Sequence, residues 1–260
     1  MDYLQLATQY LESKLKGRYI HLDTILPILE SLNSDFEITE IGKSVQEREI
    51  YQVKTGTGKT KILMWSQMHG NESTTTKGLF DFFNFLQSDN EIANRIKNEY
   101  TLLCIPMLNP DGAFLYTREN ANTIDLNRDA FNATQPEMQV LHSIYKSFQP
   151  DYCYNLHDQR TIFGTEGFNL PATVSFLSPA YNEVRDYNEV RLKAIHIINN
   201  MNKALQQYIP NQIGRFDDSY NVNCTGDYFT TQNTPTILFE AGHYANDYNR
   251  DEVRKFVFIA

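Results

Sequence analysis

Four short apolar runs in this chain, residues 61–66, 100–107, 151–157 and 235–240, each give way to side chains that a core strand does not need. Runs of this length and make-up read as buried strands. The first is followed at once by His69-Gly70-Asn71-Glu72. The second leads to Asn109-Pro110-Asp111-Gly112 and a polar stretch holding Arg118 and Arg128. The third closes on His157 and the fourth on Glu240. Helical spacing separates these runs, with Leu79, Phe82, Phe83 and Leu86 on one stripe of residues 72–88. Strands alternating with helices predict an α/β fold with a mixed, mostly parallel sheet. Open sheets of that kind hold their ligands at the carboxyl ends of the strands.

The rest of the chain fits the same plan. Helices are expected over 2–15 and 22–32, and a hairpin over 36–43 and 48–54. Residues 109–132 and 209–226 read as loops. A helix over 135–148 starts behind Thr134 as its cap, and further helices are expected over 186–208 and from about 249. A strand is expected at 173–177. The division expected is an N-terminal helical segment, 1–35, packed on a single catalytic domain, 36–260. The apolar, uncapped residues 256–260 predict a helix that runs on past Ala260.

Bulk properties exclude some functions. The net charge of −9 argues against nucleic acid or an anionic membrane as partner. No apolar run approaches the roughly 18–20 residues of a membrane helix. The opening residues lack the basic-then-apolar pattern of an export signal, which predicts a cytoplasmic protein. Cys104, Cys153 and Cys224 have no ligand spacing and read as reduced thiols.

The strand ends carry chemistry. An imidazole and a carboxylate three residues apart, His69 and Glu72, can reach one metal ion from a single turn. His157, from a neighbouring strand, can supply a third ligand, although a lone histidine there is also at home on a core rim. Arg118 and Arg128 can fork onto carboxylates or oxyanions, or serve as surface ion pairs. Glu240 ends an apolar strand, a costly place for a carboxylate that has no task.

In order along the chain, H-x-x-E, N-P-D-G, R-x-N-x-N-x-x-D-L-N-R, L-H and F-E resemble the zinc carboxypeptidase family over roughly residues 36–245. The resemblance implies a three-layer sandwich of helices about the sheet. It implies one zinc on His69, Glu72 and His157, and Arg118 as the group that polarises the scissile carbonyl. It implies Asn127 and Arg128 as the grip on a substrate's free C-terminal carboxylate, with that guanidinium buried, and Glu240 as general base. Tyr220, seven residues before Asp227, matches a tyrosine that closes over the substrate. The wall of the specificity pocket then lies near Gly226, where no charged side chain is obvious, although loops from elsewhere could supply one.

Three departures stand out. Asn71 replaces an arginine of the digestive members, Thr123 replaces a glycine of many bacterial relatives, and Asp158 replaces a small residue after the histidine. H-G-N-E is also what the aspartoacylase and succinylglutamate desuccinylase group shows, so an N-acyl amino acid amidohydrolase is one alternative. A peptide-binding relative without turnover is another.

Overall fold

The computed structural model describes residues 2–260. Its strands are β1 (Phe36–Lys43), β2 (Glu49–Thr55), β3 (Thr60–Ser66), β4 (Tyr100–Ile105), β5 (Tyr152–Asp158), β6 (Val174–Leu177), β7 (Ile213–Arg215) and β8 (Thr236–Ala241). They form one eight-stranded sheet in the order β1-β2-β4-β3-β5-β8-β6-β7. The four central strands, β4, β3, β5 and β8, run parallel to one another. Antiparallel pairs lie outside them, β1 with β2, β2 with β4 and β6 with β8. The sheet is therefore mixed, with a parallel centre.

Helices cover both faces, as the alternation of side chains along the central strands requires. Ile62 and Met64 of β3, with Leu102 and Cys104 of β4, share one core with α2 (Leu22–Leu29), α3 (Thr74–Leu86), α7 (Glu189–Leu205) and α9 (Val253–Ile259). The intervening Leu63, Trp65, Leu103 and Ile105 share a second core with α6 (Pro136–Phe148) and α8 (Thr225–Thr231). This is the three-layer α/β architecture. Leu22, Ile25, Ile28 and Leu29 of the N-terminal segment belong to the first core. Among the described residues no helix is long and apolar enough to cross a membrane.

Several elements differ from the sequence expectation. The first helix, α1 (Tyr3–Gln9), stops well short of residue 15, because the Glu12 amide is drawn to the buried Asp81 carboxylate at 2.6 Å. A helix α4 (Glu91–Glu99) lies where none was expected; only Ile92, Ala93 and Ile96 mark its apolar stripe. Residues 109–132 contain α5 (Pro110–Leu115) and a 3-10 turn, Leu126–Arg128. Thr134 does not cap α6: Gln135 holds that position without a side-chain cap, and Asp129 accepts from the amides of both residues. The loop at 209–226 holds β7 and the start of α8, whose Thr-Gly-Asp-Tyr-Phe-Thr-Thr composition is poor for a helix. Burial of Phe229 against Trp65, ring centroids 5.4 Å apart, supports α8 instead.

Candidate metal centre and cavity

The parallel centre brings the carboxyl ends of β4, β3, β5 and β8 to one edge, side by side. Leaving β3, the chain turns at Gln67, which adopts the left-handed region at φ 49°. Its side-chain amide donates to the carbonyls of Ile20 and Gly70 at 2.7 and 2.8 Å, which clamps the turn. Gly70 lies against Gly112 so closely that a Cβ on Gly70 would overlap the Gly112 carbonyl carbon. The glycines of H-G-N-E and N-P-D-G are thus one contact. It fixes the His69 turn on α5, whose first turn is capped by Asn109.

His69 Nδ1 lies 2.9 Å from Glu72 Oε1, and His157 Nδ1 lies 2.9 Å from Glu72 Oε2 and 3.1 Å from His69 Nδ1. All three side chains are buried, and one donor atom from each falls within 4.8 Å of the others. His69 Nε2 sits 2.9 Å from Asp125 Oδ1. A proton on that nitrogen leaves the Nδ1 lone pair facing Glu72 and His157. With the His157 Nδ1 lone pair also free, three lone-pair donors face one another, an arrangement that a cation between them satisfies. The donor set, two imidazoles and a carboxylate, is one that zinc takes with a fourth position open. Burial holds His157 below the ordinary imidazole range despite the pull of Glu72, so its ring is neutral, the form a metal needs.

Asp125 received no role from the sequence, and it organises this cluster. Its Oδ1 also accepts from the Asn127 amide at 2.9 Å, and its Oδ2 from Arg118 Nε at 3.1 Å. Burial alone would raise its pKa, but His69 and Arg118 hold the carboxyl well below the ordinary range. Asp158, the departure after His157, caps α3: its carboxylate accepts from Thr74 and Thr75 at 2.7 and 3.2 Å, while its own amide donates to Glu72 Oε2 at 3.1 Å. It supplies the cap that Ser73 does not.

A cavity of about 680 Å³ opens above the cluster and is lined by every residue singled out from the sequence: His69, Glu72, Arg118, Asn127, Arg128, His157, Tyr220 and Glu240. Glu240 is buried; burial, then the charges of Glu72 and Asp158, push its carboxyl well above the ordinary range. Arg118 Nη1 rests on Glu72 at 3.1 Å. Arg128 is exposed rather than buried, its Nη1 held by the Asn127 carbonyl at 2.8 Å and Cys224 Sγ at 3.1 Å. The reason is its place at the end of a surface 3-10 turn. The wall near Gly226 is not uncharged: Asp227, in the first turn of α8, lines the cavity.

Comparison with known proteins agrees with this architecture. The family model "Zinc carboxypeptidase" matches residues 25–242, so the chain belongs to the zinc carboxypeptidase family. Carboxypeptidase 2 of Trichophyton rubrum is 25% identical over 100 residues, 38% of this chain and 19% of that protein. Cytosolic carboxypeptidase 6 of Mus musculus is 26% identical over 136 residues, 48% of this chain and 25% of that one. The matched stretches thus span about a quarter or less of those relatives. A metallo-carboxypeptidase from Burkholderia cenocepacia shares the fold with a TM-score of 0.72 at 16% identity, over 90% of this chain and 65% of its own.

Proposed function

We propose that this protein is a zinc-dependent carboxypeptidase that removes the last residue of a peptide bearing a free C-terminal carboxylate. The observation that carries the reading is the convergence of His69, Glu72 and His157 within 4.8 Å beneath a cavity that also holds Glu240, Arg118 and Arg128. These three residues would hold one zinc ion, which when bound supplies Lewis acidity to a water molecule and to the scissile carbonyl.

The protein's own groups do the remaining work. Glu240 accepts the water's proton and passes it to the leaving amine; its place at the end of β8, on the cavity wall beside the cluster, suits both transfers. Arg118 has five N–H donors and commits Nη1 to Glu72 and Nε to Asp125, so others remain for the oxyanion. Asn127 spends its Oδ1 on the Thr225 amide at 2.9 Å, which turns its NH₂ group toward the substrate carboxylate beside Arg128. Tyr220, half-buried at the rim, closes over the bound residue.

Elemental analysis together with assays on an N-blocked dipeptide and on N-acetylaspartate tests this reading. One zinc per chain and cleavage of the dipeptide are expected. Preferential cleavage of the acyl amino acid would move the protein to the amidohydrolase group, and a zinc-bound protein inert on both would be a binding relative.

A further inference from the structure

Tyr220 stands on a segment with almost no backbone support. Residues 213–215 pair as β7, and the Phe216 amide donates to the Phe176 carbonyl at 3.0 Å. Support resumes at Asn221, whose carbonyl accepts from the Cys224 amide at 2.7 Å. Between them, among the described residues, no backbone–backbone hydrogen bond involves residues 217–220. Yet Phe216, Asp217, Ser219 and Tyr220 all line the cavity. A stretch without such bonds opens readily unless its side chains hold it.

Asp218 does the holding. Its Oδ2 accepts from Arg191 Nη2 at 2.9 Å, and Arg185 and Arg215 each stand 3.5 Å from the same carboxylate. Those two guanidiniums are exposed, and solvated pairs of that kind contribute little. Arg191 is different. It is 1% exposed, and Asp218 is its only carboxylate partner among the described residues. A buried guanidinium left without its anion is costly, so this pair resists opening.

The guanidinium is itself fixed. Arg191 lies in the first turn of α7, where its amide donates to the Asn188 side chain at 2.9 Å. Nη1 donates to the carbonyls of Arg185 and Asp186 at 2.8 and 3.0 Å, and Nη2 to that of Ser178 at 3.0 Å. Ser178 lies between Leu177 and Pro179, which line the cavity. Arg191 therefore fastens Asp218 to the strand end that forms the cavity wall.

We infer that Asp218 is a positioning residue: through its pair with Arg191 it sets where Tyr220 stands over the cavity. The effect on substrate rests on the carboxypeptidase reading; the fastening of residues 217–220 does not.

Two measurements on the zinc-loaded protein test it. Asp218→Asn keeps the shape and one acceptor but removes the charge, and Asp218→Glu keeps the charge. First, chymotrypsin, which cuts after phenylalanine and tyrosine, is applied well below the unfolding temperature and its products are mapped by mass. Asp218→Asn should be cut after Phe216 or Tyr220 at least about tenfold faster than the parent, with cutting elsewhere unchanged and Asp218→Glu nearer the parent. Second, KM and kcat are compared on an N-blocked dipeptide. In Asp218→Asn, KM should rise about tenfold, the scale of one lost charge-assisted hydrogen bond, with kcat within about threefold. In a Tyr220→Ala background the same change should raise KM by less than about twofold, because the side chain it positions is gone. A general loosening of the fold would act equally in both backgrounds. Unchanged cutting after Phe216 and Tyr220, or an equal rise in KM with and without Tyr220, overturns the assignment. Cutting that depends on the Asp218 charge in a protein that cleaves no dipeptide would sink the carboxypeptidase reading and leave the fastening standing.

Discussion

His157 and Glu240 stand opposite one another on the adjacent parallel strands β5 and β8, as register partners of a single ladder. On its other side Glu240 pairs with Ser175 of β6. The carboxylate is thus fixed relative to the metal-ligand candidate by backbone hydrogen bonds on both flanks, not by side-chain contacts that a substitution would disturb. Glu240→Gln should therefore keep its zinc and fold normally while kcat falls by roughly 10²–10⁴, the usual loss for a general base. Zinc content and steady-state rates check this. Turnover within about tenfold of the parent would remove Glu240 from the role.

A metal held by His69 would feel Asp125 through that imidazole. Its carboxylate fixes which imidazole nitrogen carries the proton and aims the other at Glu72. Partners of this kind are worth about 10–100-fold in metal affinity. Asp125→Ala should lose that much when zinc is titrated against a competing chelator. An affinity within threefold of the parent would show that His69 needs no such support.

Thr123 holds φ 59°, a region that a β-branched residue enters only at a cost. Its amide donates to Asn120 at 2.9 Å, which locks the turn in place. Thr123→Gly trades about 1–2 kcal/mol of strain for about 0.4–1 kcal/mol of unfolded-chain entropy. A rise in Tm of a few degrees is expected by calorimetry; a fall would mean the hydroxyl, 2.6 Å from the Asn122 carbonyl, matters more than the strain.

The buried Asp227 should leave a mark on stability. The unfolded side chain titrates near 3.9, whereas burial places the folded one at about 7. Between those values the folded state keeps a proton that the unfolded state has lost. Stability from this group is full below about 3.9 and drains away as pH rises through about 7. Asp227→Asn cannot suffer that loss. Its Tm, relative to the parent, should climb by several degrees between pH 5.5 and 8. A flat difference would mean that Asp227 ionises freely in the fold.

What the sequence revealed and what it hid have a common physical source. His69, Glu72, His157 and Glu240 were legible because each ends or closely follows an apolar strand, and strand ends in a parallel sheet share an edge. Asp125 was not, since its task depends on a contact with His69 across 56 residues that only the fold creates. Asp158 looked like a departure from the family, yet it caps a helix that begins 84 residues earlier. The charge of Asp227 in the cavity was hidden because 209–226 carried no helical period, so the direction of the first turn of α8 could not be read. Exposure of Arg128 was equally out of reach, being set by how the Leu126–Arg128 turn lies on the surface.

The most direct test of the account is the release of free amino acid from an N-blocked dipeptide and from its C-terminal amide by protein carrying one zinc per chain. In the proposed function Arg128 and Asn127 grip the carboxylate, and Arg128 lies exposed at the cavity, so loss of the charge should be felt without being absolute. The account predicts release from the free acid and a kcat/KM lower by about 10- to 100-fold on the amide, the range of a partly solvated charge-assisted pair. No release from the free acid at full zinc occupancy, or equal rates on the two substrates, would contradict it.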